Sequence, residues 1–122
     1  MKITLPWPTS DLSPNARWHW AVKARAKKAY RAACAAQARS QGLGRMDAER
    51  LHLKITFVPP NRRARDLDNL LASLKSGLDG MCDVLGVDDS KWSIEISKAE
   101  DRIGGFVEIM VTVPLDTAPA MR

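Results

Sequence analysis

Residues 51–60, which read LHLKITFVPP, decide the centre of the fold. Apolar residues occupy every second position from Leu51 to Phe57, which predicts a half-buried β-strand. The strand is expected to end at the double proline 59–60, because proline cannot donate a hydrogen bond to a sheet. The next ten residues, NRRARDLDNL at 61–70, are therefore expected to leave this strand as a loop and to enter a helix.

Two helices are predicted on either side of this strand. Residues 17–40 are rich in alanine and contain no proline or glycine, and the glycines at 42 and 44 suit a helix end. The apolar face of this first helix is predicted to comprise Val22, Ala26, Ala29, Tyr30, Ala33 and Ala36. The second helix is predicted from Asp68 or Asn69 to about Cys82, with Asp68 as its N-cap. Its inner face is predicted to comprise Leu71, Leu74, Leu78, Met81 and Cys82.

Alternating apolar residues predict three further strands. The first runs from Ile3 to Trp7 and is interrupted by prolines, and the second covers residues 92–97. Residues 101–105 are predicted to be a hairpin turn into the last strand, which carries Val107, Ile109, Val111 and Val113 on one face. The order β-α-β-α-β-β predicts an α+β domain with two helices packed on a small mixed sheet. This domain is expected over residues 1–113, with residues 114–122 as a flexible tail.

The composition favours a small basic protein of the cytoplasm. The chain has 122 residues, 45% of them hydrophobic, and a net charge of +5. Such a charge favours a polyanionic partner, nucleic acid before membrane, although a basic protein without such a partner has the same composition. No apolar run approaches the ~20 residues of a membrane span, and the N-terminus is too short and too rich in proline for a signal peptide. Cys34 and Cys82 have no metal-ligand spacing, which indicates free thiols in a reducing compartment.

The first predicted helix contains no acidic residue between positions 17 and 40. Five of its basic residues share the face opposite the apolar one, which is either a surface for the DNA backbone or simply a solvated face. These residues are Arg17, Lys27, Lys28, Arg31 and Arg39.

Asp66 and Asp68 form the main candidate site. On an extended segment, residues two apart point to the same side, so both carboxylates would face one ion while Leu67 turns inward. Mg²⁺ suits such a site, and Asp88 or Asp89 would supply a third ligand. In the alternative interpretation, one aspartate caps the helix, the other is solvated, and residues 88–89 form a turn.

The arginines before these aspartates strengthen the functional interpretation. Arg62, Arg63 and Arg65 can grip a phosphodiester through paired hydrogen bonds, or they can simply neutralise the aspartates. His19 and His52 have no partner at ligand spacing and are interpreted as structural or surface groups. Trp18, Trp20 and Trp92 can stack on bases or pack internally. Phosphate-binding glycine motifs are absent from the sequence, so no small-molecule cofactor is expected.

The segment Arg65-Asp66-Leu67-Asp68-Asn69-Leu70 followed by Asp88-Asp89-Ser90 resembles the RusA family of Holliday junction resolvases, as do Leu5–Ser10, Asn15 and Arg17. The similarity covers residues 3 to about 113 in the same element order. It implies a homodimeric, Mg²⁺-dependent endonuclease, with Mn²⁺ as a substitute ion, that nicks four-way DNA junctions symmetrically in phage or prophage recombination and repair. It also implies that Asp66, Asp68 and Asp89 are the metal ligands, and that Arg62, Arg63 and Arg65 are the basic run before them.

The sequence departs from the family pattern at one position. The family places a lysine four residues after the second aspartate, where this chain has Ala72. Lys75 and Lys91 are the candidates to replace that charge. If neither does, the chain would bind junctions and cut them poorly. A basic structural protein, whose acidic residues are caps and turns, remains the third possibility.

Overall fold

A computed structural model describes residues 1–17 and 19–114. The chain forms β1 (Lys2–Pro6), α1 (Trp20–Ser40), β2 (Leu51–Val58), α2 (Leu67–Leu85), β3 (Trp92–Lys98) and β4 (Phe106–Thr112). Short 3₁₀ turns at Ser10–Leu12 and Asp89–Lys91 precede α1 and β3. This order confirms the predicted α+β domain with two helices and a mixed four-stranded sheet.

The strand order in the sheet is β1-β4-β2-β3. β2 is parallel to β3 and antiparallel to β4, which in turn is antiparallel to β1. The predicted hairpin at residues 101–105 is therefore wrong, because β2 lies between β3 and β4. The connection instead crosses the end of β2, where Gly104 N–H donates to Pro59 O at 2.7 Å and Gly105 N–H donates to Val58 O at 2.9 Å.

Burial explains why β4 does not pair with β3, the strand that precedes it in the sequence. Val107, Ile109 and Val111 of β4 are at most 2% exposed, so this strand belongs at the centre of the sheet with a partner on each side. β3 contains Ile94, which is 44% exposed, and this strand forms an edge. Val113, which the alternation placed with the buried residues, lies beyond the end of β4 and is 46% exposed.

The helices cover one face of the sheet, and the core lies between them and the strands. α1 buries Tyr30, Cys34, Ala35 and Ala38, whereas Ala29, Ala33 and Ala36 of the predicted face are exposed. The prediction was right for Tyr30 and wrong for these three alanines, because alanines surround the helix and leave its apolar side undefined. Tyr30 decides the orientation, since its hydroxyl donates to Pro6 O at 2.6 Å.

α2 starts earlier than predicted, at Leu67, and Asp66 rather than Asp68 is its N-cap residue. Leu74, Leu78 and Met81 are buried as predicted, while Leu71 and Cys82 are only partly buried. Gly86, with φ 72°, ends the helix in the left-handed conformation that glycine favours.

An ion pair joins the two helices at their surface. The Arg31 guanidinium donates from Nε and Nη2 to the two oxygens of Asp83, both at 2.8 Å. This pairing raises the pKa of Arg31 and lowers the pKa of Asp83.

Some predictions fall outside this description. Trp18 and residues 115–122 lie outside the described residues, so the tail predicted from 114 onwards is described only at Pro114. Within the described residues, no helix combines the length and apolar character needed to cross a membrane. Cys34 and Cys82 are free thiols.

Candidate nucleic-acid-binding site

The candidate site is built around the start of α2. Asp66 has an extended backbone, with φ −90° and ψ 127°, whereas Asp68 already lies in the first turn of the helix. The two residues therefore do not share the extended segment that the sequence predicted, because Leu67 begins the helix and packs against the core. Both aspartates are exposed, and Asp68 is favoured there by the positive end of the helix dipole.

Arg65 organises the loop before the helix. Its Nη1 donates to Asn61 O at 3.1 Å and to Arg63 O at 3.2 Å, and its Nη2 donates to Asn61 Oδ1 at 2.9 Å. Its guanidinium lies 5.5 Å from the centre of the Trp7 ring. Partial burial, and then the charge of Arg63, lower the pKa of Arg65. Arg65 therefore holds the loop, while Arg62 and Arg63 are exposed and accessible to a ligand.

Lys98 connects this loop to the sheet. Its Nζ donates to Arg65 O at 2.9 Å, so the last residue of β3 fixes the backbone immediately before Asp66. The sequence did contain a signal, because Lys98 continues the alternation of Trp92, Ile94 and Ile96 and pairs with buried Phe57. A lysine on the helix-facing side of a strand needs a polar partner, and Arg65 O is that partner.

A cavity of about 460 Å³ lies beside Asp66. It is bordered by the loop after β1, the arginine loop and the first turns of α2. Its lining includes Trp7, Ser13, Arg63, Asp66, Asn69 and Ser73. Cationic, aromatic and hydroxyl groups thus surround one carboxylate, a combination that suits a nucleotide backbone.

The second acidic pair lies apart from Asp66. Asp88 accepts hydrogen bonds from the backbone N–H and the hydroxyl of Ser90, which lower its pKa, so it caps the 3₁₀ turn. Asp89 Oδ2 lies 3.6 Å from Lys75 Nζ. Lys75 follows Asp68 by seven residues, about 10 Å further along the helix.

The three predicted metal ligands are not brought together in this chain. Residues 1–17 and 19–114 contain no group of three or more His, Cys, Asp or Glu side chains that could hold a metal ion. The arrangement leaves Asp66 and Asp68 at the start of α2 and joins Asp89 to Lys75.

The predicted DNA-contacting residues are divided among several surfaces. Lys27 and Lys28 are exposed on α1, Arg17 lines a cavity beside the loop before it, and Arg31 is bound to Asp83. Lys27 shares a cavity with Ala72 and Lys75.

Lys91 lies elsewhere. It borders a cavity at the N-terminal ends of β2 and β3, together with Arg50 and Trp92. Of the two lysines considered as replacements at Ala72, only Lys75 therefore lies beside that position.

The two histidines have local partners. His19 Nδ1 accepts a hydrogen bond from Ala21 N–H at 3.1 Å and so caps α1, next to Trp20, which is 75% exposed. The ring nitrogens of His52 lie 2.7 Å from Ser93 Oγ and 3.3 Å from Glu95 Oε2 on the sheet surface.

The sequence has a clear relative among known proteins. No protein-family model matches the sequence. An uncharacterized protein from Xylella fastidiosa (strain Temecula1 / ATCC 700964) is 42% identical over 114 residues, which cover 90% of this chain and 74% of that protein. The chain therefore belongs to the same family as the Xylella protein.

Proposed function

We propose that the chain is a structure-selective endonuclease that binds branched DNA, such as a four-way junction, and hydrolyses a phosphodiester bond at the start of α2. The observation that carries this proposal is the position of exposed Asp66 beside a cavity bordered by Arg63 and Trp7, with exposed Asp68 two residues further on in the first turn of α2. The sequence resemblance to RusA resolvases supplies the reaction and the substrate. A net charge of +5 supports a nucleic-acid partner. A DNA substrate would place the protein in the bacterial cytoplasm.

Mg²⁺ is the ion that Asp66 and Asp68 suit, with Mn²⁺ as a substitute. The donor set fits because Mg²⁺ in nucleic-acid enzymes is commonly held by one or two carboxylates, with water and phosphate oxygens completing its shell. When bound, the ion would polarise the phosphodiester and lower the pKa of an attacking water. Asp89 pairs with Lys75, which lies further along α2, and is not assigned to the ion.

The residues of the chain orient the substrate. Arg63 would bind a phosphate oxygen through its guanidinium, and Arg62 would contribute charge from the same loop. Arg65 and Lys98 act as positioning residues, because their hydrogen bonds fix the backbone that leads to Asp66. Trp7, under Arg65, would exclude water from one side of the cavity.

A homodimer is part of the proposal. A four-way junction is close to two-fold symmetric, so symmetric nicking is most simply achieved by two identical sites related by a two-fold axis. Each site would then cut one of two opposite strands.

A second function, junction binding with little or no cutting, has its own support. Ala72 stands where the resembled family places a lysine, and the three carboxylates are not gathered into one group. A basic structural protein would neither bind junctions selectively nor cut them.

A nicking assay separates these functions. Synthetic four-way junction, duplex and flap DNA are incubated with the protein, with and without Mg²⁺. The endonuclease is expected to nick the junction only with Mg²⁺, and Asp68→Asn is expected to abolish nicking. In the absence of metal, Asp68→Asn should bind DNA as tightly as the wild type or more tightly, because a negative charge facing the phosphates is removed.

Asp47→Asn is the matched control. Asp47 is exposed in the loop before β2, where neighbouring Met46 N–H donates to Leu85 O at the far end of α2. Its nicking rate should equal that of the wild type. Salt-sensitive junction binding without nicking would establish the second function, and nicking by Asp68→Asn at the wild-type rate would refute the assigned site.

A further inference from the structure

A separate cavity of about 300 Å³ lies between α1 and α2. Lys27 reaches it from α1, and Ala72, Ser73, Lys75, Ser76 and Asp79 line it from α2. The small side chains of α2 leave room there, and the two ammonium groups come from different helices. Such a cavity suits an anion of the size of a phosphate group.

Ser76 provides a second, independent indication of a ligand. The residue lines the cavity and is only 8% exposed, and its buried Oγ has no hydrogen-bond partner among the described residues. A buried hydroxyl without a partner is unfavourable, so its presence calls for a group that accepts its hydrogen. An anionic oxygen beside two ammonium groups would do so.

The nearby carboxylates do not cancel the preference of the cavity for an anion. Asp79 is one carboxylate in the lining against two ammonium groups, and its charge also acts on Arg31. Asp89 lies 3.6 Å from Lys75, but the two side chains are 41% and 68% exposed. An exposed ion pair of this kind contributes little free energy, so a phosphate can replace Asp89 beside Lys75.

The cavity lies next to the one at the candidate site. Ser73 lines both this cavity and the one beside Asp66. One DNA strand can therefore follow the surface of α2 from the aspartates to the lysines. Lys27 and Lys75 also flank Ala72, so two side chains supply positive charge beside the position that lacks it.

We propose that the cavity between α1 and α2 is a phosphate-binding subsite for the backbone of the DNA strand held at Asp66 and Asp68. Lys27 and Lys75 supply the positive charge, and the Ser76 hydroxyl donates a hydrogen bond to a phosphate oxygen. The subsite rests on the proposed function for the identity of its ligand. It does not require that the chain cut DNA.

The test measures binding of a fluorescently labelled four-way junction at several salt concentrations in EDTA, so that cleavage plays no part. Each lost phosphate contact should reduce the slope of log K against log[salt] by about one. Lys27→Ala and Lys75→Ala should each show that reduction. Lys54→Ala is the control, because Lys54 is exposed on the other face of the sheet, and it should retain the wild-type slope.

Ser76→Ala tests the hydroxyl separately. As a neutral donor, Ser76 contributes a hydrogen bond but no counterion release, so the variant should bind several-fold more weakly with an unchanged salt slope. If the hydroxyl has no ligand, the variant should instead be as stable as the wild type or more stable, and should bind junction equally well. Urea denaturation alongside the binding curves checks that each variant folds.

The outcomes separate the subsite from the nuclease. If the wild type binds junction and Lys27→Ala and Lys75→Ala keep the wild-type salt slope, as the control Lys54→Ala should, the subsite is wrong. The proposed nuclease would be unaffected by that result. Reduced slopes without nicking would support the subsite and overturn the nuclease. If the wild type does not bind junction, both are wrong.

Discussion

Glu108 shows how a single residue couples distant parts of the chain. Its carboxylate accepts hydrogen bonds from Arg102 Nη2 at 2.6 Å and Nη1 at 3.1 Å, and it lies 3.3 Å from Lys2 Nζ. Arg102 chiefly, and then Lys2, lower the pKa of Glu108, whose side chain is only 14% exposed. The pairs join β1, β4 and the loop before β4 on the outer face of the sheet.

This environment predicts a pH-dependent stability. Because the folded-state pKa of Glu108 lies below its unfolded value, its contribution is complete above the unfolded value of about 4.3 and is lost as pH falls through the folded value. At pH 7, the free energy of unfolding of Glu108→Gln should be about 1 kcal/mol lower than that of the wild type. The loss is modest because both cationic partners are partly exposed. The difference should shrink at pH 3, as measured by urea denaturation.

Glu49→Gln is the control for this prediction. Glu49 is exposed in the loop before β2, and its substitution should give no comparable difference at either pH. A difference for Glu108→Gln that stays constant from pH 7 to pH 3 would show that the carboxylate charge is not the cause.

At the scale of elements, the close approach of α1 and α2 depends on glycine. A Cβ on Gly80 would overlap the carbonyl oxygen of Arg31 and would lie 3.2 Å from Ala35 N, and a Cβ on Gly77 would lie 2.7 Å from the Tyr30 ring. The two helices thus meet with backbone against backbone. This contact fixes where Lys27 of α1 lies relative to Lys75 of α2.

Gly80→Ala should therefore destabilise the protein, although alanine is the better helix former. The helices would have to separate, at a cost of about 1–3 kcal/mol in the free energy of unfolding. Urea denaturation measures the loss. Gly44→Ala is the matched control, because a Cβ there has no heavy atom within 4 Å, and the change should be nearly neutral. Equal stability of the two variants would contradict the close packing.

At the scale of the whole molecule, the proposed symmetric nicking predicts a dimer. Light scattering after gel filtration at micromolar concentration should give twice the 13.5 kDa mass of one chain. Added four-way junction should then give a complex of two chains and one junction. A monomer that still cuts both strands of the junction would refute the two-fold arrangement.

The local pattern of apolar residues was enough to predict most of the fold. β2 matches its predicted bounds. Large apolar residues alternate strictly with polar ones along this strand, so only one of its two faces can be buried. The end of α1 was likewise predictable, since Gly42 adopts the left-handed conformation with φ 94°. The sequence alone also identified Arg63, Arg65 and Asp66, which border the cavity.

Tertiary structure decided what local patterns leave undetermined. The alanine-rich α1 has no unique apolar face until Tyr30 bonds to Pro6, and β4 pairs with β2 rather than β3 because only the assembled sheet shows which strand is most buried.

The candidate site depends on contacts of the same kind. Lys98 reaches Arg65 across 33 residues, and Lys27 and Lys75 line one cavity only because α1 packs against α2. Periodicity along a sequence reports which side of an element is apolar. The relative placement of two elements is instead set by side-chain volumes and hydrogen bonds at their contact, and these form only when the whole core is packed.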